Sequence, residues 1–163
     1  VLNDFVASAL LRNKIEILSD GTPWRPLIDV EDMCEAILWA IERDDIAVGS
    51  YLAVNVGFNE WNYTIKDLAY AVKEVLNTTE VKINPSAAPD KRSYRVDFSL
   101  YKSLTINRKP HKSIETTISE LIKNIDESTF RMKNFRTSHL IRLNTLNHLR
   151  QKNKLDSKLK WVI

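Results

Sequence analysis

The sequence predicts an α/β fold followed by a helical tail, and three observations lead to this prediction. Short apolar runs rich in β-branched residues alternate with segments in which apolar residues recur every three or four positions. Glycine, proline and helix-capping residues separate these segments. After Ile125 the strand-like runs stop and only helical spacing continues. We therefore expect strands and helices to alternate through Ile125, with a helical extension beyond it.

The composition excludes several classes of protein. The chain has 163 residues, which is enough for one domain with a hydrophobic core, and a net charge of only +3. Its single cysteine, Cys34, cannot form an internal disulfide, which favours a reducing compartment and hence the cytoplasm. No apolar run approaches the roughly 20 residues of a membrane helix, so no membrane span is expected. The three histidines have no Cys or acidic partner at metal-site spacing, so no metal site is predicted.

Local signals predict the elements of the first third of the chain. Apolar residues at helical spacing from Leu2 to Leu11 indicate an amphipathic helix. Ile15 to Leu18 is typical of a short strand, and after a turn Trp24 to Val30 continues as an extended segment. Asp29 is placed to cap the next helix. The apolar stripe expected to face the core of that helix consists of Met33, Ala36, Ile37, Ala40 and Ile41.

A predicted strand opens the next part of the chain. Tyr51 to Val56 is apolar on both sides and ends at Gly57, which is typical of a strand buried in a parallel sheet. Thr64 and Asp67 are three positions apart, as in a capping box, and open a helix with one apolar side. Val81 to Asn84 alternates as a further strand.

The remaining elements are predicted mainly as helices. Tyr94 to Phe98 is extended, with Ser99 as a possible cap of the helix that follows. Ser113 opens a helix that runs to Ile125. A last helix is expected from Ser138 to Gln151, in a tail where basic residues are crowded. A solvated basic face explains that tail better than nucleic-acid binding does, because the total charge is modest.

The run from Asp20 to Asp32 carries the clearest chemical signal. A tight turn at Gly21 places Arg25 at the start of a strand that leads directly into a capped helix, a position at which ligands are commonly bound. An arginine at that point can form forked hydrogen bonds with a phosphate group. A surface ion pair of Arg25 with Asp29 or Asp20 is the alternative, and the residues alone favour it.

This run resembles the "D-G…R-x-φ-φ-x-V-x-D" segment of the extended short-chain dehydrogenases, the NAD-dependent epimerase/dehydratase family, with Asp32 as its last residue. Pro26 and Asp29 stand where many members have Asp and His. The segment Asn55–Gly57 resembles the family's "Y-N-φ-G", which ends a strand of the nucleotide-binding sheet. The resemblance implies structural roles for Gly21, Asp32, Asn55 and Gly57.

A third segment, from Asp90 to Ser99, is similar to the family's late "R…D-x-S-K" region. In the family the arginine of that region reaches the diphosphate of the ligand, and the aspartate caps the following helix. The resemblance assigns the first role to Arg92, with Arg95 as the second candidate, and the capping role to Asp97. Asn3 resembles a family asparagine that contacts the sugar or the diphosphate, although an exposed helical Asn without that role is the alternative.

The resemblance also implies catalytic parts that this sequence does not contain. A family member needs a glycine-rich turn for the dinucleotide pyrophosphate, and a Tyr with a Lys four residues later for proton transfer. The only glycines are Gly21, Gly49 and Gly57, and no tyrosine is followed by lysine at that spacing. No catalytic residue is therefore assigned, and the N-terminal Rossmann core is expected upstream of Val1.

By this resemblance, residues 1–127 are the C-terminal, substrate-binding part of an NAD(P)-dependent nucleotide-sugar epimerase or dehydratase, and residues 128–163 are a basic helical extension. The parent enzyme would use NAD or NADP, would bind a nucleotide-diphosphate sugar and could form a homodimer. The chain itself is expected to bind no dinucleotide and to be inactive. The alternatives are a stand-alone sugar-nucleotide-binding or regulatory module and, less favoured, a basic protein whose tail binds nucleic acid.

Overall fold

The computed structural model describes residues 1–43, 51–87, 92–106, 108–127, 135–138 and 141–162. The chain divides into two compact units, Val1–Asn124 and Ile125–Ile163. The predicted domain boundary after residue 127 adjoins residues outside the described ranges, so it stays a prediction.

Helices and strands alternate through the first unit, which confirms the predicted α/β class. In chain order the elements are α1 (Leu2–Arg12), β1 (Lys14–Ile17), β2 (Trp24–Pro26), α2 (Val30–Glu42), β3 (Asn62–Thr64), α3 (Ile65–Val75), β4 (Glu80–Ile83), α4 (Ser99–Leu104), α5 (Ile114–Glu127) and α6 (Arg142–Gln151). A 3-10 turn at Asn59–Trp61 precedes β3, and another lies at Phe135–Thr137.

The core of the first unit forms where α1 and α3 pack against each other and against β1. Strands β1 and β4 are parallel, with Lys14 opposite Glu80 and Ile17 opposite Ile83. Helix α3 begins with the predicted capping box, in which the N–H of Asp67 donates to Thr64 Oγ1 (3.1 Å) and the N–H of Thr64 donates to Asp67 Oδ2 (3.2 Å). The fully buried side chains here include Val6, Ile15, Leu68 and Val72.

A second, antiparallel pair of strands carries Arg25. Trp24 of β2 lies opposite Thr64 of β3, and Pro26 lies opposite Asn62. The predicted turn before β2 is present: Gly21 has a φ of +83°, and its carbonyl accepts the N–H of Lys66 (3.0 Å). The start of α3 therefore fixes the position of the strand on which Arg25 lies.

Helix α2 begins as predicted but does not bury its apolar stripe. The Asp29 carboxylate accepts the N–H of Glu31 (2.9 Å) and caps the helix. Of the five residues in the predicted stripe only Ala36 is buried, and Met33, Ile37 and Ile41 are 45%, 55% and 75% exposed. The expected burial was wrong because none of the described elements covers this side of the helix.

The predicted strand from Tyr51 to Val56 is also wrong within the described residues. This segment has no strand structure, and Tyr51 is 80% exposed. A strand needs a neighbour for its backbone hydrogen bonds, and both described sheets contain only two strands each, neither of which includes this segment. Asn55 lies exposed in it.

Two helix starts differ from the sequence prediction. Ser99 is the first residue of α4 rather than its cap, and its N–H donates to Asp97 Oδ1 (2.9 Å). Phe98 occupies the cap position without a side-chain cap hydrogen bond, so the capping role that the resemblance implies for Asp97 stays a prediction. Helix α6 begins at Arg142 rather than Ser138, with residues 139 and 140 outside the description.

The second unit is small and is held partly by polar contacts. The amide of Asn144 in α6 donates to the carbonyls of Arg136 (2.9 Å) and Ser138 (3.2 Å). After α6, Leu155 pairs with Trp161 in an isolated antiparallel bridge. Among the described residues of the whole chain, no helix has the length and apolar character needed to cross a membrane.

Candidate functional site

Strand β2 and the segment 92–95 lie side by side. The N–H of Trp24 donates to Ser93 Oγ (3.0 Å), and Arg25 Nη1 donates to the carbonyl oxygens of Trp24 (2.7 Å) and of Arg92. The guanidinium carbon of Arg25 lies 5.9 Å from the centroid of the Tyr94 ring. Two segments that are far apart in sequence therefore meet through the Arg25 side chain.

Arg95 joins the same surface by stacking. Its guanidinium carbon lies 4.5 Å from the centroid of the Trp24 ring, within the range of a cation–π contact. We call the group Trp24, Arg25, Arg92, Ser93, Tyr94 and Arg95 the arginine surface. Contacts with aromatic faces and backbone carbonyls restrict the conformers of Arg25 and Arg95, so less entropy is lost when an anion binds to them.

Three of the four predicted substrate-binding residues lie in contacting segments. Arg25, Arg92 and Arg95 belong to the arginine surface. Asn3 lies exposed on α1, which packs against α3 and β1, and no hydrogen bond or ion pair among the described residues joins it to the arginine surface. The binding roles of all four residues stay predictions.

Two asparagines that the sequence reasoning missed hold the segment after Arg95. Asn62 Oδ1 accepts the N–H of Val96, and Asn62 Nδ2 donates to the carbonyl of Val96, both at 3.0 Å. Asn59 Oδ1 accepts the N–H of Phe98 (2.9 Å). Each amide replaces a backbone partner that a neighbouring strand would supply. The sequence feature that could have drawn attention to these residues is the pair of asparagines, three positions apart, between Gly57 and the capping box.

Gly57 allows a close approach between its backbone and a buried ring. Its φ is +152°, and a β-carbon at this position would lie 2.7 Å from Cε1 of Phe98. Phe98 is buried against this backbone and leads directly into α4. The close approach to Phe98 therefore explains why a glycine occupies position 57, at the end of the segment that resembles "Y-N-φ-G". The strand expected before it is not formed.

Buried carboxylates tie α2 to the segment 108–120. The hydroxyl of Thr117 donates to Asp29 Oδ2 (3.0 Å), and the N–H of His111 donates to Asp32 Oδ1 (3.2 Å). Ion pairs connect the same two parts of the chain. Lys112 pairs with Glu31 of α2 (2.9 Å) and with Glu120 (2.6 Å). Arg108 pairs with Glu35 of α2 (3.0 Å). Asp29, where many family members have His, serves here both as helix cap and as the partner of Thr117.

Asp32 is an acid whose surroundings raise its pKa. It is 2% exposed, and its Oδ2 is buried without a hydrogen-bond partner among the described residues. Burial raises the pKa of the Asp32 carboxyl, and the hydrogen bond from the His111 N–H offsets this effect only in part.

We expect Asp32→Asn to raise the free energy of unfolding at pH 7. Because the pKa of Asp32 is higher in the folded than in the unfolded state, ionisation of this side chain destabilises the fold once the pH exceeds the folded pKa. Asn keeps an acceptor for the His111 N–H and cannot ionise. The advantage should shrink as the pH falls through the folded pKa towards the ordinary value of 3.8.

Urea unfolding at pH 7 and pH 4 measures this effect, with Glu74→Gln on the exposed side of α3 as the matched control. A variant that is less stable than the wild type at pH 7, or a difference that does not change with pH, would contradict the expectation.

Comparison with known proteins gives the same family as the resemblance seen in the sequence. Residues 1–57 match the NAD dependent epimerase/dehydratase family. About the first third of the chain is therefore similar to this family. The resemblance seen in the sequence is thereby confirmed. The matched range contains Asn3, Gly21, Arg25 and Asp32, and the segment 92–97 lies outside it.

A curated relative matches most of the chain. UDP-glucuronic acid decarboxylase 1 of Arabidopsis thaliana is 27% identical over 123 residues, which are 75% of this chain and 27% of that protein. The chain therefore spans well under half the length of this relative.

Three solved structures show the fold that this chain shares. The NAD-dependent NDP-hexosamine 5,6-dehydratase TunA has a TM-score of 0.62 at 18% identity, covering 79% of this chain and 40% of TunA. The UDP-Glc/GlcNAc 4-epimerase of Campylobacter jejuni has a TM-score of 0.58 at 22% identity, covering 78% and 40%. The L-threonine dehydrogenase of Phytophthora infestans has a TM-score of 0.60 at 14% identity, covering 76% and 40%. Because a threonine dehydrogenase shares this fold with two sugar enzymes, the fold alone does not specify the substrate.

Proposed function

We propose that the chain is the substrate-binding part of an NAD(P)-dependent nucleotide-sugar epimerase or dehydratase, and that its arginine surface binds the diphosphate of the nucleotide sugar. One observation carries the proposal: Arg25 donates to the backbone carbonyl of Arg92, so the two residues assigned to the diphosphate are adjacent in the fold. Arginine binds phosphate oxygens through charge-assisted, often bidentate hydrogen bonds. The third arginine of this surface, Arg95, would add charge beside them.

The aromatic partners of the arginines support the same function. Tyr94 lies beside Arg25 and the Trp24 ring lies beside Arg95, so each guanidinium is held over a ring face. A guanidinium held in this way presents its donors in a fixed plane, which suits a diphosphate better than a mobile ammonium does. The relatives named above include enzymes of UDP-glucuronic acid, NDP-hexosamine and UDP-Glc/GlcNAc, and we extend that ligand class to this chain.

We assign the chemistry to a dinucleotide-binding domain that would pack on this chain in the complete enzyme. The sequence supplies neither a glycine-rich turn nor a Tyr-x-x-x-Lys. Two features fit a covering domain: the exposed apolar stripe of α2, and the apolar segment 51–56, which forms no strand here and would add as one to a larger sheet. In this proposal residues 1–127 form the C-terminal lobe, residues 128–163 are an extension, and NAD or NADP is held by the other domain.

Arg25→Ala is expected to weaken the binding of UDP by about 1.5 to 3 kcal/mol, which is the usual value of a hydrogen bond to a charged group. The change removes both the charge and the contact with the Arg92 carbonyl, so the segment 92–95 also loses a support. Isothermal titration calorimetry of UDP into the full chain measures the effect.

Arg142→Ala, at an exposed position in α6, is the matched control and should leave the affinity unchanged. Circular dichroism of both variants establishes that they fold. If Arg25→Ala and Arg142→Ala bind UDP as tightly as the wild type does, the arginine surface is not the diphosphate site.

Ile37→Lys is expected to reduce self-association of the chain. The residue is 55% exposed at the centre of the α2 stripe, and an uncovered apolar face of this kind promotes contact between molecules. Sedimentation velocity over a concentration series measures the change, with Leu143→Lys on α6 as a control of similar exposure. A wild-type chain that stays monomeric throughout would count against a missing covering domain.

A further inference from the structure

We infer that the chain carries a second anion site, which binds a small phosphate-type ion and is separate from the arginine surface. The site is a cavity of about 240 Å³ bordered by the segment Gly57–Glu60, by α4 and by residues 108–109. Its charged lining consists of Lys102, Arg108, Lys109 and Glu60. We call it the lysine pocket. None of Arg25, Arg92 and Arg95 lines it.

The charges of the lysine pocket favour an anion. Lys102 and Lys109 are exposed, and in the part of the chain that the structure describes neither forms an ion pair. Arg108 Nη1 lies 3.0 Å from Glu35 Oε2 and forms an ion pair with it. This buried nitrogen nevertheless makes no hydrogen bond of good geometry with any of the described residues. The three positive charges of Lys102, Arg108 and Lys109 therefore outnumber the two carboxylates, which are those of Glu60 and of Glu35. The site keeps an excess of positive charge.

The walls of the lysine pocket strengthen this preference. Phe58 and Phe98 are both buried and line the cavity, so part of its boundary is apolar. Attraction between an anion and the lysines is stronger beside a low-dielectric wall than in open water. Asn59 and Gly57 complete the boundary.

The size of the lysine pocket limits the ligand. Small-molecule sites commonly measure roughly 300 to 1,000 Å³, so a cavity of about 240 Å³ suits an ion of phosphate or pyrophosphate size rather than a whole nucleotide sugar. A phosphate-type ion also matches ammonium groups, which bind it as point charges without the planar geometry that arginine imposes.

NMR titration of the isotope-labelled full chain with inorganic pyrophosphate at constant ionic strength tests the inference. Saturable shifts are expected at the backbone amides of Gly57, Asn59 and Phe98. Lys102→Ala and Lys109→Ala should each raise the dissociation constant at least about fivefold, roughly the loss of one charge-assisted contact. Lys73→Ala, an exposed lysine of α3, should change it little.

Three outcomes would overturn the inference. The first is that these amides do not shift. The second is that Lys73→Ala weakens binding as much as the pocket variants do, which would indicate general charge attraction. The third is that Arg25→Ala abolishes the shifts, which would place the pyrophosphate on the arginine surface. The same titration with malonate, a dicarboxylate, tests the chemical class of the ligand. Malonate should bind more weakly than pyrophosphate, and equal binding would contradict a preference for phosphate-type ions.

Discussion

Gly57→Ala is expected to lower the free energy of unfolding by about 3 kcal/mol, through two separate costs. The backbone has a φ of +152°, a region that residues with a β-carbon occupy at a cost of about 1 to 3 kcal/mol. The new β-carbon would also lie 2.7 Å from Cε1 and 2.8 Å from Cζ of Phe98. Overpacking of this kind typically costs about 1 to 3 kcal/mol. Urea unfolding at pH 7 measures the total.

Two comparisons identify the cause of the loss. Gly21→Ala has the positive φ, but its β-carbon would lie 3.1 Å from Lys66 Cβ, so it should cost less, about 1 to 2 kcal/mol. Phe98→Ala removes the ring, and the double variant Gly57→Ala/Phe98→Ala should be more stable than the sum of the single changes predicts. Simple additivity of the two changes would show that the close approach to Phe98 is not responsible.

Asn62→Ala should destabilise the fold by a similar amount, about 3 kcal/mol, because it leaves the N–H and the carbonyl of Val96 without their partners. Each partly buried group that loses its hydrogen bond costs about 1 to 3 kcal/mol. Asn62→Asp keeps an acceptor for the Val96 N–H but turns a carboxylate oxygen towards the Val96 carbonyl, so at pH 7 it should be no more stable than Asn62→Ala. Both are measured by urea unfolding.

The control for Asn62 is Asn147→Ala, at an exposed position of α6, which should be nearly neutral. If Asn62→Ala is as mild as this control, the amide does not hold the segment 96–98. Loss of the hydrogen bonds between Asn62 and Val96 should also weaken the binding of UDP, because Val96 directly follows Arg95 in the chain.

Elements that depend on neighbouring residues could be predicted from the sequence. The capping box of Thr64 and Asp67 and the cap at Asp29 need only side chains two or three positions from the backbone groups they satisfy. The turn at Gly21 depends likewise on one residue that tolerates positive φ. These signals located the starts of α2 and α3 and the strand that carries Arg25.

Features that depend on distant partners were predicted less well. The apolar stripe of α2 and the segment from Tyr51 to Val56 were expected to be buried, but an apolar pattern states only which side avoids water and not what covers it. The contact between Arg25 and the backbone of Arg92 joins residues 67 positions apart, which no spacing rule in the sequence predicts. Asn59 and Asn62 were missed because their partners, Phe98 and Val96, lie on a separate segment without regular secondary structure.

NMR mapping of UDP and NAD on the isotope-labelled chain tests most directly whether it is a nucleotide-sugar-binding part that lacks its dinucleotide domain. UDP should give the largest saturable shifts at the indole N–H of Trp24 and at the backbone amides of Arg25, Ser93, Tyr94 and Arg95, whereas NAD should give no binding in the micromolar range. Shifts from UDP that leave all of these residues unchanged, or micromolar binding of NAD, would contradict the proposal.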